Sequence, residues 1–355
     1  KANGYGHGAV PVARALEAAG AGMLACADIE EAVELRRGGV RASILVFGAL
    51  SVSDLDGVFT HGLTPTVSSP FAARALHDTA TRRGVRVACH LKIDTGMNRL
   101  GFRYDNLTDT VPAVLDGPGL EIDAVYTHFA TAEDRAHPLF DVQRTRFDDA
   151  VRCLQELGIR PRLRHTANSA ALLRERSTWY GAVRPGLLLY GVAPAGYAGV
   201  LPLTPVMSLR SRVVAVKGMR AGETAGYGAR SPVTCPTTVA VVPAGYADGL
   251  DVRIAGRVSV IVRGRRVPVM GAVSMDSITI DVTGLGVTPG DEVVLLGSQC
   301  GASIDVGEVA DAIGTVPHEI LCRTGSRITR TYGSDRRWES TTPGHTTTEM
   351  GSGER

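Results

Sequence analysis

The stretch PFAARALHDTATRRGVRVACHLKIDTG, residues 70–96, decides the fold of this chain. Its first half places apolar residues at helical spacing and closes on Gly84, a residue suited to the left-handed cap that ends many helices. A short apolar run follows at once, as expected of a strand buried in a sheet. The stretch therefore predicts one helix followed directly by one parallel strand.

The same helix-then-strand unit recurs seven times between residue 9 and about residue 191. Its strand candidates read GMLACAD, SILVFGA, LTPTVSS, VRVACHLKIDTG, LEIDAVYTHFA, PRLRHTANS and AVRPGLLLYG. Parallel strands joined by helices form either an open doubly wound sheet or a closed (β/α)8 barrel. Because the helix that begins at residue 9 needs a strand before it, we expect eight strands, with the first strand missing from this sequence and Lys1 at its C-terminal end. The predicted fold is α/β, a TIM-type (β/α)8 barrel over residues 1–203.

From about residue 204 the pattern changes to short β-branched runs separated by turn residues, such as SRVVAVKGM, TTVAVVPAGY and SITIDVTG. This pattern is typical of an antiparallel sheet. One short helix, DVGEVADAIG, interrupts the runs. We therefore expect a mostly antiparallel β domain over residues 204–336. Residues 337–355 are polar with few apolar side chains, so we expect a disordered tail.

The composition limits the classes of partner that we expect for this chain. The 355 residues are 44% hydrophobic and 21% charged with a net charge of +2, which gives no reason to expect nucleic acid or an acidic membrane surface as a partner. No apolar run is long enough to span a bilayer. The six cysteines are scattered without a CxxC pair, as in a reduced cytoplasmic protein. His318 and Cys322 have helical spacing but lack partner ligands, so we expect no metal site.

Polar residues follow the apolar runs at several predicted strand ends. In a barrel of this kind the active site lies at the C-terminal ends of the strands. Taken alone, His128 would be interpreted as a core histidine, but the whole set at one rim indicates a site. The rim set comprises Lys1, Lys92, Arg99, His128, His165, Asn168, Ser169, Arg184 and Gly186.

The last two strand ends suggest a phosphate site. Loops after strands seven and eight commonly bind phosphate in such barrels, and here they offer the Ser169 hydroxyl and backbone N–H groups near Gly186. The glycines of GYGHG match neither a Walker loop nor a dinucleotide fingerprint, so we interpret them as a turn before a helix. A rim lysine together with a phosphate site suggests a Schiff base with pyridoxal phosphate.

Eight motifs occur in order: KANGYGHG, HLKIDTGMNRLGF, YTHFA, HTANSA, VRPGLLLYG, AGYGARS, GYADG and VSMD. They resemble the signatures of the bacterial alanine racemase family, and the resemblance extends from residue 1 to about residue 332. It implies a pyridoxal phosphate barrel followed by a β domain, in a head-to-tail homodimer with shared active sites. It also implies interconversion of L-alanine and D-alanine, which supplies D-alanine for peptidoglycan.

The resemblance implies a role for each catalytic residue. Lys1 resembles the Schiff-base lysine, and Tyr227 resembles a second base contributed by the other subunit. Two bases are wanted because one proton leaves one face of the α-carbon and another arrives on the opposite face; Lys1 would serve the D-isomer and Tyr227 the L-isomer. Arg99 and the backbone N–H of Met275 resemble contacts to the substrate carboxylate. Lys92 resembles a lysine that relatives can carry as a carbamate, orienting that arginine.

The same resemblance implies the cofactor contacts. His128 resembles the residue beside the cofactor ring, and Arg184 resembles the partner of its pyridine nitrogen. Since arginine stays protonated, it would donate a hydrogen bond there without transferring a proton, which disfavours transamination. The implied cofactor-binding set is Lys1, Tyr5, His128, Asn168, Ser169, Arg184, Gly186 and Leu187.

Departures from the family pattern leave alternatives open. Gly4 stands where alanine is common, Ala272 and Ser274 where many relatives have arginine and cysteine, and Ser326 where some place a phosphate-binding tyrosine. One alternative is a racemase for another amino acid, of the serine or lysine type. A decarboxylase of the same architecture is disfavoured by AGYGARS and GYADG. A non-catalytic pyridoxal phosphate-binding protein would lack the β domain.

Overall fold

The computed structural model describes residues 1–48, 55–115, 117, 119–229 and 232–333. The expected disordered tail, 337–355, lies outside the described residues. Within the described ranges, no helix has both the length and the apolar character needed to cross a membrane.

The N-terminal part is built on a parallel sheet with the strand order β1-β2-β3-β4-β6-β7, and β5 pairs with β4. Its strands are β1 Met23–Cys26, β2 Ser43–Val46, β3 Thr64–Val67, β4 Val87–Asp94, β5 Phe102–Arg103, β6 Leu120–Tyr126 and β7 Leu163–His165. The helices before, between and after these strands are Ala9–Ala18, Ile29–Arg37, Leu55–Thr60, Pro70–Arg83, Leu107–Thr110, Pro112–Leu115, Leu139–Glu156 and Ser169–Arg174. Sequential strands lie side by side, so all the strand ends that carry polar residues meet at one edge.

The helix Pro70–Arg83 forms for reasons that are visible in its sequence. The Ser69 hydroxyl accepts a hydrogen bond from the Ala72 N–H at 3.2 Å, which satisfies one free donor of the first turn. Pro70 occupies the first turn, where its missing N–H has no effect. Gly84 ends the helix with φ 63°, the left-handed cap expected from the sequence.

The prediction of a last strand over AVRPGLLLYG is only partly correct. The segment does lie beside β7, because the Gly181 N–H donates to Arg164 O and Ala182 forms a parallel bridge with His165. Residues Leu187–Tyr190 instead form a 3-10 helix. Pro185 has no N–H for a strand ladder, so the extended pairing stops before it.

The C-terminal part is an antiparallel sheet with the order β15-β14-β11-β12-β13-β10-β9, and β8 pairs with β14. Its strands are β8 Leu209–Arg212, β9 Ala215–Met219, β10 Thr237–Val242, β11 Ser259–Val262, β12 Arg265–Met270, β13 Ile278–Asp281, β14 Glu292–Gln299 and β15 Ala302–Ile304. Two helices follow, Val306–Ile313 and Pro317–Cys322. The whole is a TIM-type barrel architecture followed by a β domain, which confirms the predicted fold class.

Each part has its own apolar core. The barrel core packs the helices against the outer face of the parallel sheet and includes Ile44, Leu76, Leu91, Phe147 and Leu154. The β-domain core includes Val242, Ile261, Ile280, Val293 and Val309. Leu187, in the 3-10 helix after the barrel, packs into the β-domain core and so joins the two parts near the rim.

Candidate active site

Sheet register places three polar side chains next to one another at the barrel rim. Lys92 pairs with Tyr126 across β4 and β6, and Tyr126 pairs with His165 across β6 and β7. The Tyr126 ring stacks on the His165 ring with centroids 4.7 Å apart and an 11° interplanar angle. The Lys92 amine lies 5.8 Å from the centre of the Tyr126 ring. The strand-end pattern in the sequence therefore corresponds to a real cluster.

Arg184 is enclosed by acceptors from the neighbouring strand ends. Its Nη1 donates to His165 Nδ1 at 2.7 Å and to His165 O at 2.8 Å, while Nη2 donates to Thr127 O at 2.8 Å and to Thr166 O at 3.0 Å. Nη2 also lies 3.4 Å from His128 Nδ1. Burial lowers the pKa of Arg184 to about 10, so the guanidinium remains charged at neutral pH. These acceptors form a cage that fixes the position of the Arg184 guanidinium from several sides.

A basic cluster surrounds His128. Burial lowers the pKa of His128 to about 3, and the charges of Arg184, Lys92, Arg99 and Lys1 lower it further in that order. Burial is likewise the main cause that lowers the pKa of Lys92 to about 8, followed by the charges of Arg99 and Arg184. Four cations around one neutral imidazole attract an anion, so the donor set fits a phosphate- and carboxylate-bearing ligand.

A cradle of polar groups lies at the last two strand ends. The Gly186 N–H donates to the Ser169 hydroxyl at 2.8 Å. A Cβ atom at Gly186 would come within 2.6 Å of the Tyr5 hydroxyl, so this close approach requires glycine. Asn168 caps the helix Ser169–Arg174 by accepting from the Ala171 N–H at 2.9 Å, and Leu187 is buried beside the cradle. These groups lie together at the position where the sequence predicts a phosphate site.

Lys1 precedes a turn of left-handed backbone. The φ angles are 48° at Ala2, 51° at Asn3, 61° at Gly4 and 52° at Tyr5. Left-handed helical backbone costs roughly 1–2 kcal/mol for each non-glycine residue, so three of these residues are strained. Strain of this kind is concentrated at functional sites. The sequence predicts a simple turn at KANGYGHG, whereas the structure has a strained left-handed turn directly after Lys1.

Three aromatic side chains that the sequence analysis did not place in the site pack around Tyr5. The Tyr190 ring stacks on Tyr5 at 5.1 Å and on His7 at 4.3 Å. The His318 ring tilts against Tyr5 at 5.5 Å, and the Lys1 charge adds to burial in lowering the pKa of His318. The helical spacing of His318 and Cys322 predicts a shared helix face and does not indicate the contact between His318 and Tyr5. No single-residue signal in the sequence indicated these contacts.

Tyr227 and Met275 lie on the β domain. Their loops pack together, since a Cβ at Gly271 would come within 2.2 Å of Ala225 O and one at Gly226 within 3.0 Å of the Ala272 nitrogen. Tyr227 is 78% exposed and Met275 is 53% exposed. Among the described residues, neither makes a hydrogen bond or a ring contact with the rim set of the same chain.

The parallel barrel with its basic rim, followed by an antiparallel β domain, defines a barrel-type amino-acid racemase, which is an isomerase. Residues 1–194 match the family model described as alanine racemase, N-terminal domain, and residues 206–332 match that for the C-terminal domain. The chain belongs to the alanine racemase family. This membership confirms the resemblance seen in the sequence motifs.

Individual relatives agree with this assignment. The chain is 40% identical to alanine racemase of Symbiobacterium thermophilum over 337 residues, which cover 94% of this chain and 89% of the relative. Among solved structures, it resembles alanine racemase from D-cycloserine-producing Streptomyces lavendulae with a TM-score of 0.88 at 34% identity, covering 92% and 87% of the two chains. It also resembles alanine racemase from Bacillus anthracis with bound L-Ala-P, with a TM-score of 0.85 at 35% identity, covering 91% and 84%.

Proposed function

We propose that this chain interconverts L-alanine and D-alanine, with pyridoxal phosphate held at the barrel rim. The observation that carries the proposal is the combination of the basic cluster around His128 with the cradle at Gly186. The cluster calls for an anionic ligand, and the cradle brings the Ser169 hydroxyl next to the Gly186 N–H, where a phosphate oxygen would accept from both in place of their mutual hydrogen bond. In a chain that aligns with alanine racemases over almost its whole length, the alanine substrate is the simplest assignment.

Tyr5, Ser169 and the Gly186 N–H would hold the phosphate, His128 would lie beside the ring, and Lys1 would form the covalent link. When bound, pyridoxal phosphate spreads the negative charge left on the substrate after its α-proton departs. The neutral state of His128, whose pKa is lowered to about 3, suits packing against a ring.

Arg184 would face the ring nitrogen. Because its pKa is still about 10, it can donate a hydrogen bond at that atom but does not release a proton at neutral pH. The four-acceptor cage limits its movement, so the same donor geometry persists through the reaction. Asn168, as the cap of the adjacent helix, would hold Ser169 in place, and Leu187 would contribute its backbone N–H to the phosphate.

Two groups would move protons. The Lys1 amine would take or return a proton on one face of the substrate α-carbon, and the Tyr227 hydroxyl would act on the other face. The exposed position of Tyr227 supports its use by a second copy of the chain, and hence a homodimer with shared sites. To act as a base, the Tyr227 hydroxyl would need nearby positive charge or hydrogen-bond donors. Arg99 and the Met275 N–H would hold the substrate carboxylate.

Lys92 would serve as a carbamate. With its pKa lowered to about 8, a substantial fraction of the amine is neutral near pH 7.4 and is nucleophilic. The nitrogen lone pair attacks carbon dioxide, a new N–C bond forms, and one proton leaves to solvent. The product carries a negative charge, which would pair with Arg99 and relieve the repulsion within the basic cluster.

Several wider expectations belong to the same proposal. They are the supply of D-alanine for peptidoglycan, a cytoplasmic location, and a division into a barrel over 1–203 and a β domain over 204–336. The Ala272 loop packs against the Tyr227 loop, so the departures at Ala272 and Ser274 keep a serine- or lysine-type racemase as the alternative substrate assignment.

The test is circular dichroism of L- and D-alanine, L-serine and L-lysine over time, with the cofactor absorbance band recorded in parallel. Tyr227→Phe should lower racemisation at least about 100-fold, the scale of a lost general base. Solvent deuterium should still enter the α-carbon of D-alanine, because the Lys1 face is intact. Tyr180→Phe is the matched control, because it removes a hydroxyl that donates to the exposed Asp148 on the helix Leu139–Glu156. A cofactor band without racemisation of any substrate would instead support a pyridoxal phosphate-binding protein without catalysis.

A further inference from the structure

The end of the β domain reaches back to the turn that follows Lys1. We call residues 324–332 the clasp. Arg330 Nε donates to Gly6 O at 2.8 Å, and the Tyr332 hydroxyl donates to His7 O at 2.9 Å. Two consecutive carbonyls of the N-terminal turn are thus bound by side chains more than 320 residues away in the chain.

Arg330 also organises the clasp itself. Its Nη2 donates to Thr324 O at 2.8 Å, and its Nη1 lies 3.2 Å from Gly325 O and 3.3 Å from Ile328 O. One guanidinium therefore bonds three carbonyls of the clasp and one of the turn. Lysine carries the same charge but has no planar fork that can reach several fixed acceptors at once.

The turn needs an external restraint. Ala2, Asn3 and Tyr5 all have left-handed backbone, which is unfavourable for residues with a Cβ. Its own backbone hydrogen bonds are Tyr5 N–H to Lys1 O at 3.1 Å, Gly6 N–H to Ala2 O at 3.0 Å, His7 N–H to Gly4 O at 3.1 Å and Gly8 N–H to Asn3 O at 2.8 Å. They do not remove the strain of the left-handed residues. A strained conformation persists only where the surrounding structure holds it from several directions.

Two glycines of the turn allow the clasp and the helix before it to come close to the turn. A Cβ at Gly6 would lie 1.9 Å from Leu321 O, and a Cβ at Gly8 would lie 2.0 Å from the Tyr332 hydroxyl. Both glycines also have positive φ, 77° and 102°. Gly6 and Gly8 are therefore required for contact with the clasp and the helix before it, which a simple turn would not need.

The restraint is transmitted to the residues of the site. His7 Nδ1 lies 2.9 Å from Tyr5 O, and burial together with the Arg330 charge lowers the pKa of His7, so the neutral ring can donate there. Lys1 O accepts the first bond of the turn. A shift of the turn would move the Lys1 amine and the Tyr5 hydroxyl together.

We propose that Arg330 is a positioning residue that holds the left-handed turn and thereby fixes where the Lys1 amine is presented. The proposal rests on the proposed function of Lys1 as the amine base. The contact between the clasp and the turn crosses from the β domain to the barrel, so the β domain would contribute to the barrel site of its own chain as well as presenting Tyr227.

The test compares Arg330→Lys and Tyr332→Phe with a matched control, Arg266→Lys. Arg266 also donates to a backbone carbonyl, Ser303 O at 2.7 Å, but it does so within the β domain. The first readout uses cofactor-free full chain. An amine reagent labels lysines at several pH values, and fragment mass spectrometry gives the rate at Lys1 Nζ relative to the exposed Lys217.

In Arg330→Lys, we expect the labelling rate of Lys1 to change relative to that of Lys217, while Arg266→Lys leaves the ratio of the two rates unchanged. In the cofactor-loaded enzyme we expect kcat to fall about tenfold or more with KM little changed, because small misplacements of a reacting group have effects of this size. Tyr332→Phe, which loses one hydrogen bond, should change both readouts in the same direction by less.

Equal Lys1 labelling in Arg330→Lys and Arg266→Lys would overturn the proposal, as would a kcat loss that matches the unfolded fraction measured by circular dichroism. Should Arg330→Lys fail to fold, Tyr332→Phe decides: unchanged Lys1 labelling there also overturns it. If the unmodified chain does not racemise alanine, the proposed function fails, but the labelling of Lys1 still tests the clasp.

Discussion

Arg184 Nη1 donates to His165 Nδ1 at 2.7 Å, and this bond determines the protonation of two buried imidazoles. Because arginine has no acceptor, Nδ1 of His165 must accept and its Nε2 must carry the hydrogen. Nε2 then donates to His90 Nδ1 at 2.9 Å. Burial and the Arg184 charge lower the pKa of His165, and burial lowers that of His90 to about 4, so both rings are neutral.

The first prediction follows from this chain of hydrogen bonds. His165→Leu removes one acceptor of a buried guanidinium and the donor to His90, so we expect a loss of about 1–3 kcal/mol in the free energy of unfolding. Urea denaturation of the cofactor-free chain measures it. His165→Gln, which can still accept from Arg184, should lose less. Equal free energies of unfolding for His165→Leu and the unmodified chain would contradict the assigned hydrogen bonds from Arg184 through His165 to His90.

The second prediction concerns Lys92 and pH. The amine has a pKa of 10.5 when unfolded and about 8 when folded, so between these values the unfolded chain binds more protons and stability rises with pH. At pH 7 the unfavourable contribution is about 1–3 kcal/mol. Lys92→Met should therefore stabilise the chain at pH 7, by less as the pH approaches 10.5. Degassed urea titrations across this range check it, with exposed Lys217→Met expected to show no such trend.

The third prediction tests the carbamate directly. In buffer with carbon-13 bicarbonate, the unmodified chain should give a carbamate carbon resonance that disappears on acidification, because the carbamate releases carbon dioxide when it is protonated. Lys92→Met should lack this resonance, and Lys217→Met should keep it. A resonance that survives in Lys92→Met would assign the carbamate to another amine.

The fourth prediction concerns Gln143, which is fully buried in the helix Leu139–Glu156. Its Nε2 donates to Thr95 Oγ1 and to His128 O, both at 3.1 Å, and its Oε1 accepts from the Ala130 N–H at 2.8 Å. Gln143→Met would leave these buried groups without partners, with an expected loss of about 2–3 kcal/mol in the free energy of unfolding. Exposed Gln155→Met in the same helix is the control, and similar losses in both variants would show that the buried hydrogen bonds of Gln143 do not stabilise the fold.

Sequence patterns predicted the helix-then-strand order because it depends on local periodicity, and they predicted the rim because a barrel brings its strand ends together. Lys92, His165 and Arg184 meet for that reason. The interpretation of LLLYG as a strand was wrong, since an apolar run alone does not distinguish a strand from a 3-10 turn.

Other site residues could not be found in this way. Gln143 is followed by Arg144, Thr145 and Arg146, and a polar side chain in this context does not show which groups it contacts. Arg330 acts on Gly6 across a separation of 324 residues, a contact that no local pattern encodes. Tyr190 was inside a quoted motif, but its stacking on Tyr5 and His7 depends on how two distant segments pack.

The last prediction concerns the close approach of Gly186 to Tyr5. A methyl group at residue 186 would lie 2.6 Å from the Tyr5 hydroxyl, so Gly186→Ala must displace that hydroxyl from the cradle. We expect the dissociation constant for pyridoxal phosphate to rise about tenfold, the loss of roughly one hydrogen bond to a charged group. Absorbance titration of the cofactor-free chain measures it.

Gly218→Ala is the matched control, because nothing lies within 4 Å of the position of its new Cβ. The decisive comparison adds Tyr5→Phe. If Gly186→Ala acts by moving the Tyr5 hydroxyl, then in a Tyr5→Phe background it should weaken cofactor binding much less than it does alone. Fully additive effects of the two changes would show that the alanine perturbs the cradle by another route, such as the Gly186 N–H bond to Ser169.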